Sequence, residues 1–131
     1  MYKKTMTYED YNGIERTEDF YFNLNKAEIA EMELTKDGGF ANYIQKIVAA
    51  KKQSEIVRLF KRLLLMSFGE KSDDGRRFIK SRELSREFEE SAAFPEFYML
   101  LATDEKEATA FVNGITPDVE GKGTIPFPSN G

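Results

Sequence analysis

Asn12-Gly13 stands between two alternating runs, Tyr2 to Glu9 and Ile14 to Phe22. Asn-Gly tolerates the left-handed backbone that a tight hairpin needs, so the pair predicts two antiparallel strands at the start of the chain. Side-chain parity then chooses the loop. A two-residue loop would pair Tyr11 with Ile14 and mix apolar with charged residues on both faces. A three-residue loop, Tyr11-Asn12-Gly13 with Gly13 left-handed, pairs Asp10 with Ile14 instead. Tyr2, Met6 and Tyr8 then share a face with Ile14, Phe20 and Phe22. Lys3, Thr5, Thr7, Glu9, Glu15, Thr17 and Asp19 take the other. A slip of one residue exchanges the faces, so the second register is expected. A lone hairpin is marginal in water, so this one must lie on helices or pair with a further strand.

Helical signals follow. Asn25 is an N-cap with Glu28 placed to complete a capping box, flanked by Leu24 and Ile29 as a hydrophobic staple. That helix is expected to end near Thr35 and stop at Gly38-Gly39. Phe40, Tyr43, Ile44, Ile47 and Val48 recur three and four apart and predict a second helix. A third begins near Ser54. Its apolar residues, Ile56 to Phe68, cover most of its circumference, so it is expected to be central or covered by another subunit, with Gly69 as its C-terminal stop. Residues 70–80 read as a polar link turning at Asp74-Gly75, with Phe78-Ile79 anchoring it to the core. Ser81 caps a short charged helix carrying Leu84 and Phe88. Another carries Phe94, Phe97, Tyr98 and Leu101, with Pro95 in its first turn. Asp104 and Glu107 form a second capping-box pattern and open a last helix, stopped at Gly114. The expected architecture is α+β: residues 1–115 form a single domain, with a β-hairpin over 2–23, five to six helices over 25–115, and a flexible tail over 116–131. The 131 residues suffice for one domain with its own core.

The chain has no Cys and no His. This removes disulfides, thiolate nucleophiles, Cys-type zinc sites, imidazole ligands and the Ser-His-Asp triad, leaving only carboxylate, Lys or Tyr chemistry. No enzyme activity, cofactor or metal site is expected. The lysines at positions 3 and 4 precede no apolar run, so no signal peptide is expected. No stretch is long enough to span a membrane.

Net charge is −4. The balance is −4 over residues 1–45, +7 over 46–82 and −7 over 83–131. A basic middle between acidic ends suits docking within or between copies, an acidic protein partner, or nucleic acid, the last disfavoured by the overall acidity. Arg76-Arg77-x-x-Lys80-x-Arg82 is the best anion-binding candidate, but no second aromatic interleaves to stack bases. Asp73-Asp74 with Glu70 lacks the alternating oxygens of a calcium loop and reads as a solvated turn. Glu87, Glu89 and Glu90 read as a solvated helix face. The aromatic series Phe88, Phe94, Phe97, Tyr98 and Phe111 falls on three short helices. It reads either as core or as an apolar groove for a partner helix or another copy.

Three stretches resemble a known family: Tyr2 to Leu24 around Asn12-Gly13, Ser67-Phe68-Gly69-Glu70 through Ser81, and Leu101 to Ile115. They are similar to small tail assembly chaperones of long-tailed bacteriophages of Gram-positive hosts, and the resemblance spans about residues 2–117. It implies a non-enzymatic protein of the infected cell's cytoplasm. Such a protein binds the long helical tape measure protein, keeps it soluble until the tail tube polymerises, and leaves before the virion is complete. The tail tube protein and copies of the chain itself are further expected partners; a membrane is not. Some such proteins are made in two lengths by ribosomal slippage, and Gly121-Lys122-Gly123 lies where that could occur. On this reading Phe94, Phe97, Tyr98 and Phe111 would anchor the partner, and Arg76, Arg77 and Lys80 would guide it electrostatically. The rival readings are a structural subunit of the tail or head–tail connector, and a nucleic-acid-binding regulatory module.

Overall fold

Asp10 donates its backbone N–H to Ile14 O at 2.9 Å, and Gly13 closes the loop with φ +77°. The three-residue loop is therefore the one formed, and it sets the register of the whole sheet. The computed structural model describes residues 1–35, 44, 46 and 49–117. The elements are β1 (Tyr2–Glu9), β2 (Glu15–Phe22), α1 (Lys26–Thr35), α2 (Gln53–Ser67), β3 (Phe68–Lys71), β4 (Phe78–Ile79), α3 (Arg82–Glu90), α4 (Ala93–Thr103) and α5 (Glu105–Ile115). The architecture is α+β, with an N-terminal hairpin and a mostly helical remainder. Of the expected second helix, Ile44 is helical and buried, while Phe40, Tyr43, Ile47 and Val48 lie outside the described residues. So do Gly38-Gly39 and residues 118–131, including Gly121-Lys122-Gly123.

β1 pairs β2 antiparallel from Tyr2↔Phe22 to Glu9↔Glu15. Tyr2, Phe20 and Phe22 are buried on the helix side, with Met6 and Tyr8 packed at its margin. Ile14 is on that face too, but the hairpin tip overhangs the helices and leaves it 55% exposed. The opposite face is a ladder of polar pairs, including Thr5 Oγ1–Asp19 at 2.6 Å and Thr7–Thr17 at 2.9 Å.

Among the described residues the sheet has four strands, in the order β1-β2-β3-β4, so the expected polar link is a second hairpin. Gly69 does not end α2 as a left-handed stop. The helix ends at Ser67, and Phe68 is already extended (φ −65°, ψ 139°). The chain runs directly into β3, where Gly69 faces Tyr21 and Phe68 faces Phe22. The glycine is needed for space. A Cβ there would lie 2.7 Å from Ile79 O and 2.7 Å from the Phe78 ring. The β3–β4 turn uses Asp74-Gly75 as expected, with Gly75 at φ +75°. Ser72 N–H donates to Arg77 O at 2.9 Å across its base.

Local capping signals are realised. Asn25 and Glu28 form the reciprocal capping box at 2.8 Å each way, and Ser81 Oγ accepts the Leu84 N–H at 3.0 Å. The Asp104–Glu107 box is half-formed. Asp104 accepts the Glu107 N–H at 3.0 Å, but the Glu107 carboxylate turns instead to Tyr2 and Lys4 on β1. Burial, and then that carboxylate, push the Tyr2 phenol well above its ordinary range. α5 runs past Gly114 to Ile115, so Gly114 is a packing position rather than a stop.

The core is aromatic at its centre. The Phe22 ring, fully buried, lies within 6 Å of Tyr2, Phe68, Phe88, Phe97 and Phe111, mostly edge-on. Edge-to-face pairs of this kind add to simple burial. Leu59, Phe60, Leu63 and Leu64 of α2 complete it, and Ser67 is satisfied by donating to Leu63 O at 2.5 Å. α2 is thus buried along one stripe, not all round. Leu65 is half-buried and Met66 is 36% exposed.

Candidate partner-binding surface

Arg62, Leu65 and Met66 are spaced i, i+3, i+4 on α2, and Arg82, Ser85, Arg86 and Glu89 are spaced i, i+3, i+4, i+7 on α3. Each set is one stripe of a helix. The two stripes line a shallow, open cleft of about 530 Å³, with Glu28 and Lys80 also in its lining. The floor is apolar, from Leu65 and Met66. Ser85 Oγ donates to Leu65 O at 2.8 Å and pins α3 to α2. Lys61 and Glu89 add an ion pair at 3.1 Å. Arg82 and Arg86 are exposed on the rim, with Arg86 3.6 Å from Glu90. The arrangement can seat an apolar helical ridge and draw carboxylates to its flanks.

Lys80 is a strut. Its ammonium donates to both Glu28 carboxylate oxygens, at 2.6 and 2.7 Å, and to Asn23 O at 2.8 Å. It joins the residue after β4 to the α1 capping box. The lysine expected to guide a partner thus already has its charge met by Glu28. Arg76 and Arg77 differ. Both are exposed at the β3–β4 turn. Their backbones are fixed there, Arg76 N–H on Asp74 at 3.0 Å and Arg77 N–H on Ser72 Oγ at 3.0 Å. The Arg76 N–H, then the Ser72 hydroxyl, hold the Asp74 carboxyl below its usual range, so Asp74 closes the turn.

The aromatic series resolves as core. Phe97 and Phe111 are 0% exposed, and Phe88 and Phe94 are buried. The rings cover one another in part, Phe88 lying 5.4 Å from Phe94 and 5.8 Å from Phe97, and the sheet covers the rest. Phe20 stacks edge-on against Phe97 at 5.1 Å, and Tyr2 against Phe111 at 5.2 Å. Phe97 and Phe111 of the expected groove are therefore covered by β1 and β2, and Phe94 packs between Phe88 and Tyr98. Tyr98, half-buried beside Phe94 at 5.9 Å, stays at the surface, next to Met99 at 54% exposure. Leu65, Met66, Arg82 and Arg86 were not singled out by sequence reasoning as a group. Their stripes were legible separately, but which helix faces which was not.

Among the described residues, no group of acidic side chains is placed to hold a metal ion, and no helix is long and apolar enough to cross a membrane. A family model described as phage tail assembly chaperone matches residues 1–120. No curated protein and no solved structure matches.

Proposed function

This chain belongs to the phage tail assembly chaperone family, and from that premise we propose that it binds the tape measure protein and keeps it soluble during tail assembly, without catalysis. The phage is read as a long-tailed one of a Gram-positive host, and the site of action as the cytoplasm of the infected cell. The observation that carries the mode of binding is the α2–α3 cleft: apolar Leu65 and Met66 on α2 beside Arg82 and Arg86 on α3. A long helical client exposes apolar ridges flanked by charge, and a helix-in-groove contact buries the ridge while the arginines select acidic flanks. Met is suited to such a surface because its flexible thioether adapts to differing apolar partners. Arg76 and Arg77 on the neighbouring turn extend the positive field that steers encounter. Phe94, Phe97 and Phe111 contribute indirectly, by holding the helices that carry the surface.

Co-expression with the tape measure protein from the same genome tests this. The expected result is a soluble complex, with the tape measure insoluble alone and Met66→Glu reducing its recovery while circular dichroism stays unchanged. Absence of any complex, with this protein instead retained in purified virions as a closed ring, would replace the reading by a structural subunit.

A further inference from the structure

Among the described residues, β1 is the edge of the sheet, bounded by β2 on one side only. The Asp10 N–H bond to Ile14 O places the even residues of β1 in the ladder with β2. In an antiparallel strand the alternate residues then point their N–H and C=O groups the other way. Among the described residues, Lys3, Thr5, Thr7 and Glu9 therefore present an unpaired backbone along the open edge. Unpaired edges are templates for another strand, and proteins usually blunt them with Pro, bulges or brevity. β1 has eight residues, no Pro and a regular register throughout.

We propose that this edge pairs with β1 of a second copy, antiparallel about a two-fold axis at Met6, joining two sheets into one. The charge pattern selects that register. Backbone parity requires an outward residue to face an outward residue. Among the registers that satisfy this, the one centred on Met6 sets Lys3 opposite Glu9 of the second copy, and Glu9 opposite its Lys3. Thr5 and Thr7 then face each other across the same side, where hydroxyl pairs are favourable. On the helix side Lys4 meets Tyr8 and Met6 meets Met6. Moving the register by two residues either way removes both Lys–Glu pairs. A self-complementary patch of this kind is what an isologous dimer requires. Lys3 can turn to it, since its contacts, Asp19 at 3.7 Å and the Tyr21 ring at 5.9 Å, are long and its side chain is about half exposed. The inference is independent of which client the protein binds.

Sedimentation and light scattering on the full chain test it. The expected result is a concentration-dependent dimer that Lys3→Glu or Glu9→Lys weakens about tenfold or more, and that the double swap restores. Thr7→Pro, which deletes an outward N–H without touching the β1–β2 ladder, should weaken it also. In the unaltered protein the amides of Lys3, Thr5, Thr7 and Glu9 should exchange more slowly as concentration rises. A monomer at all concentrations, a dimer indifferent to the swaps, or exchange at those amides independent of concentration would each overturn the proposal.

Discussion

Gly114 of α5 lies directly against Tyr2 of β1. A Cβ at position 114 would sit 2.9 Å from Tyr2 Cβ and 3.3 Å from its Cα. The first residue of the sheet and the last turn of the last helix are thus packed at backbone distance. Leu24 N–H reinforces the closure by donating to Ile115 O at 2.9 Å. Gly114→Ala should therefore destabilise the protein by about 1–3 kcal/mol, although alanine is the better helix former. Chemical denaturation checks the sign. A stabilised variant would mean that the helix end is free to move away.

Phe97 is at the centre of the aromatic core, 5.3 Å from Phe22 and 5.8 Å from Phe88, ring to ring. Phe97→Ala should cost about 3–5 kcal/mol, and Phe97→Asp should abolish cooperative folding by burying an unpaired carboxylate. Circular dichroism and denaturation measure both. A folded Phe97→Asp variant that had lost only client binding would return Phe97 to the surface role expected from sequence.

Lys80 holds Glu28 and Asn23 O together, and its side chain is about one-fifth exposed. Lys80→Met keeps the stem but removes the charge, leaving Glu28 and a backbone carbonyl short of a donor. The expected loss is about 1–2 kcal/mol, with client binding unchanged in the folded fraction. Loss of binding without loss of stability would make Lys80 a contact residue.

Among the described residues, two tyrosines are held above their ordinary range. Burial and the Glu107 carboxylate raise Tyr2, and burial with Glu18 raises Tyr8 to about 12 from an ordinary 10.0. Below the ordinary value both folded and unfolded chains keep these protons, and their contribution to stability is fully present. Above it the unfolded chain releases its protons first, so stability falls as pH rises through about 10 to 12. Denaturation midpoints across that range should fall. Tyr2→Phe and Tyr8→Phe should each flatten the slope, whatever their effect on absolute stability. An unchanged slope would mean that neither phenol is held neutral by the fold.

Acid acts through Asp10. The Arg16 guanidinium, and then the Ile14 N–H, hold its carboxyl below the usual range. Its folded-state pKa is depressed, so its contribution is present above the ordinary carboxylate value and is lost as pH falls through the folded one. Asp10→Asn should leave neutral-pH structure intact and reduce the acid sensitivity of the hairpin tip, read by amide exchange at Asn12 and Ile14.

What the sequence by itself determined is local. The hairpin register followed from side-chain parity and Asn12-Gly13, because a one-residue slip would have buried charge. Asn25, Ser81 and Asp104 marked helix starts, because each satisfies a donor only three residues away. What only the tertiary structure decided is every contact made across long separations. Gly69 and Gly114 resembled helix stops, yet each is required by a neighbour, the β4 backbone in one case and Tyr2 in the other. Glu107 completed a local motif on paper, but Tyr2 and Lys4, over a hundred residues earlier in the chain, claim its carboxylate. The aromatic series could be read as core or as groove because periodicity does not say that Phe20 and Tyr2 of the hairpin lie on Phe97 and Phe111, and β3, at four residues, is too short for its period to be recognised. For the same reason the cleft was invisible as a site. Periodicity places Met66 and Arg86 on helix stripes, but only packing brings those stripes together.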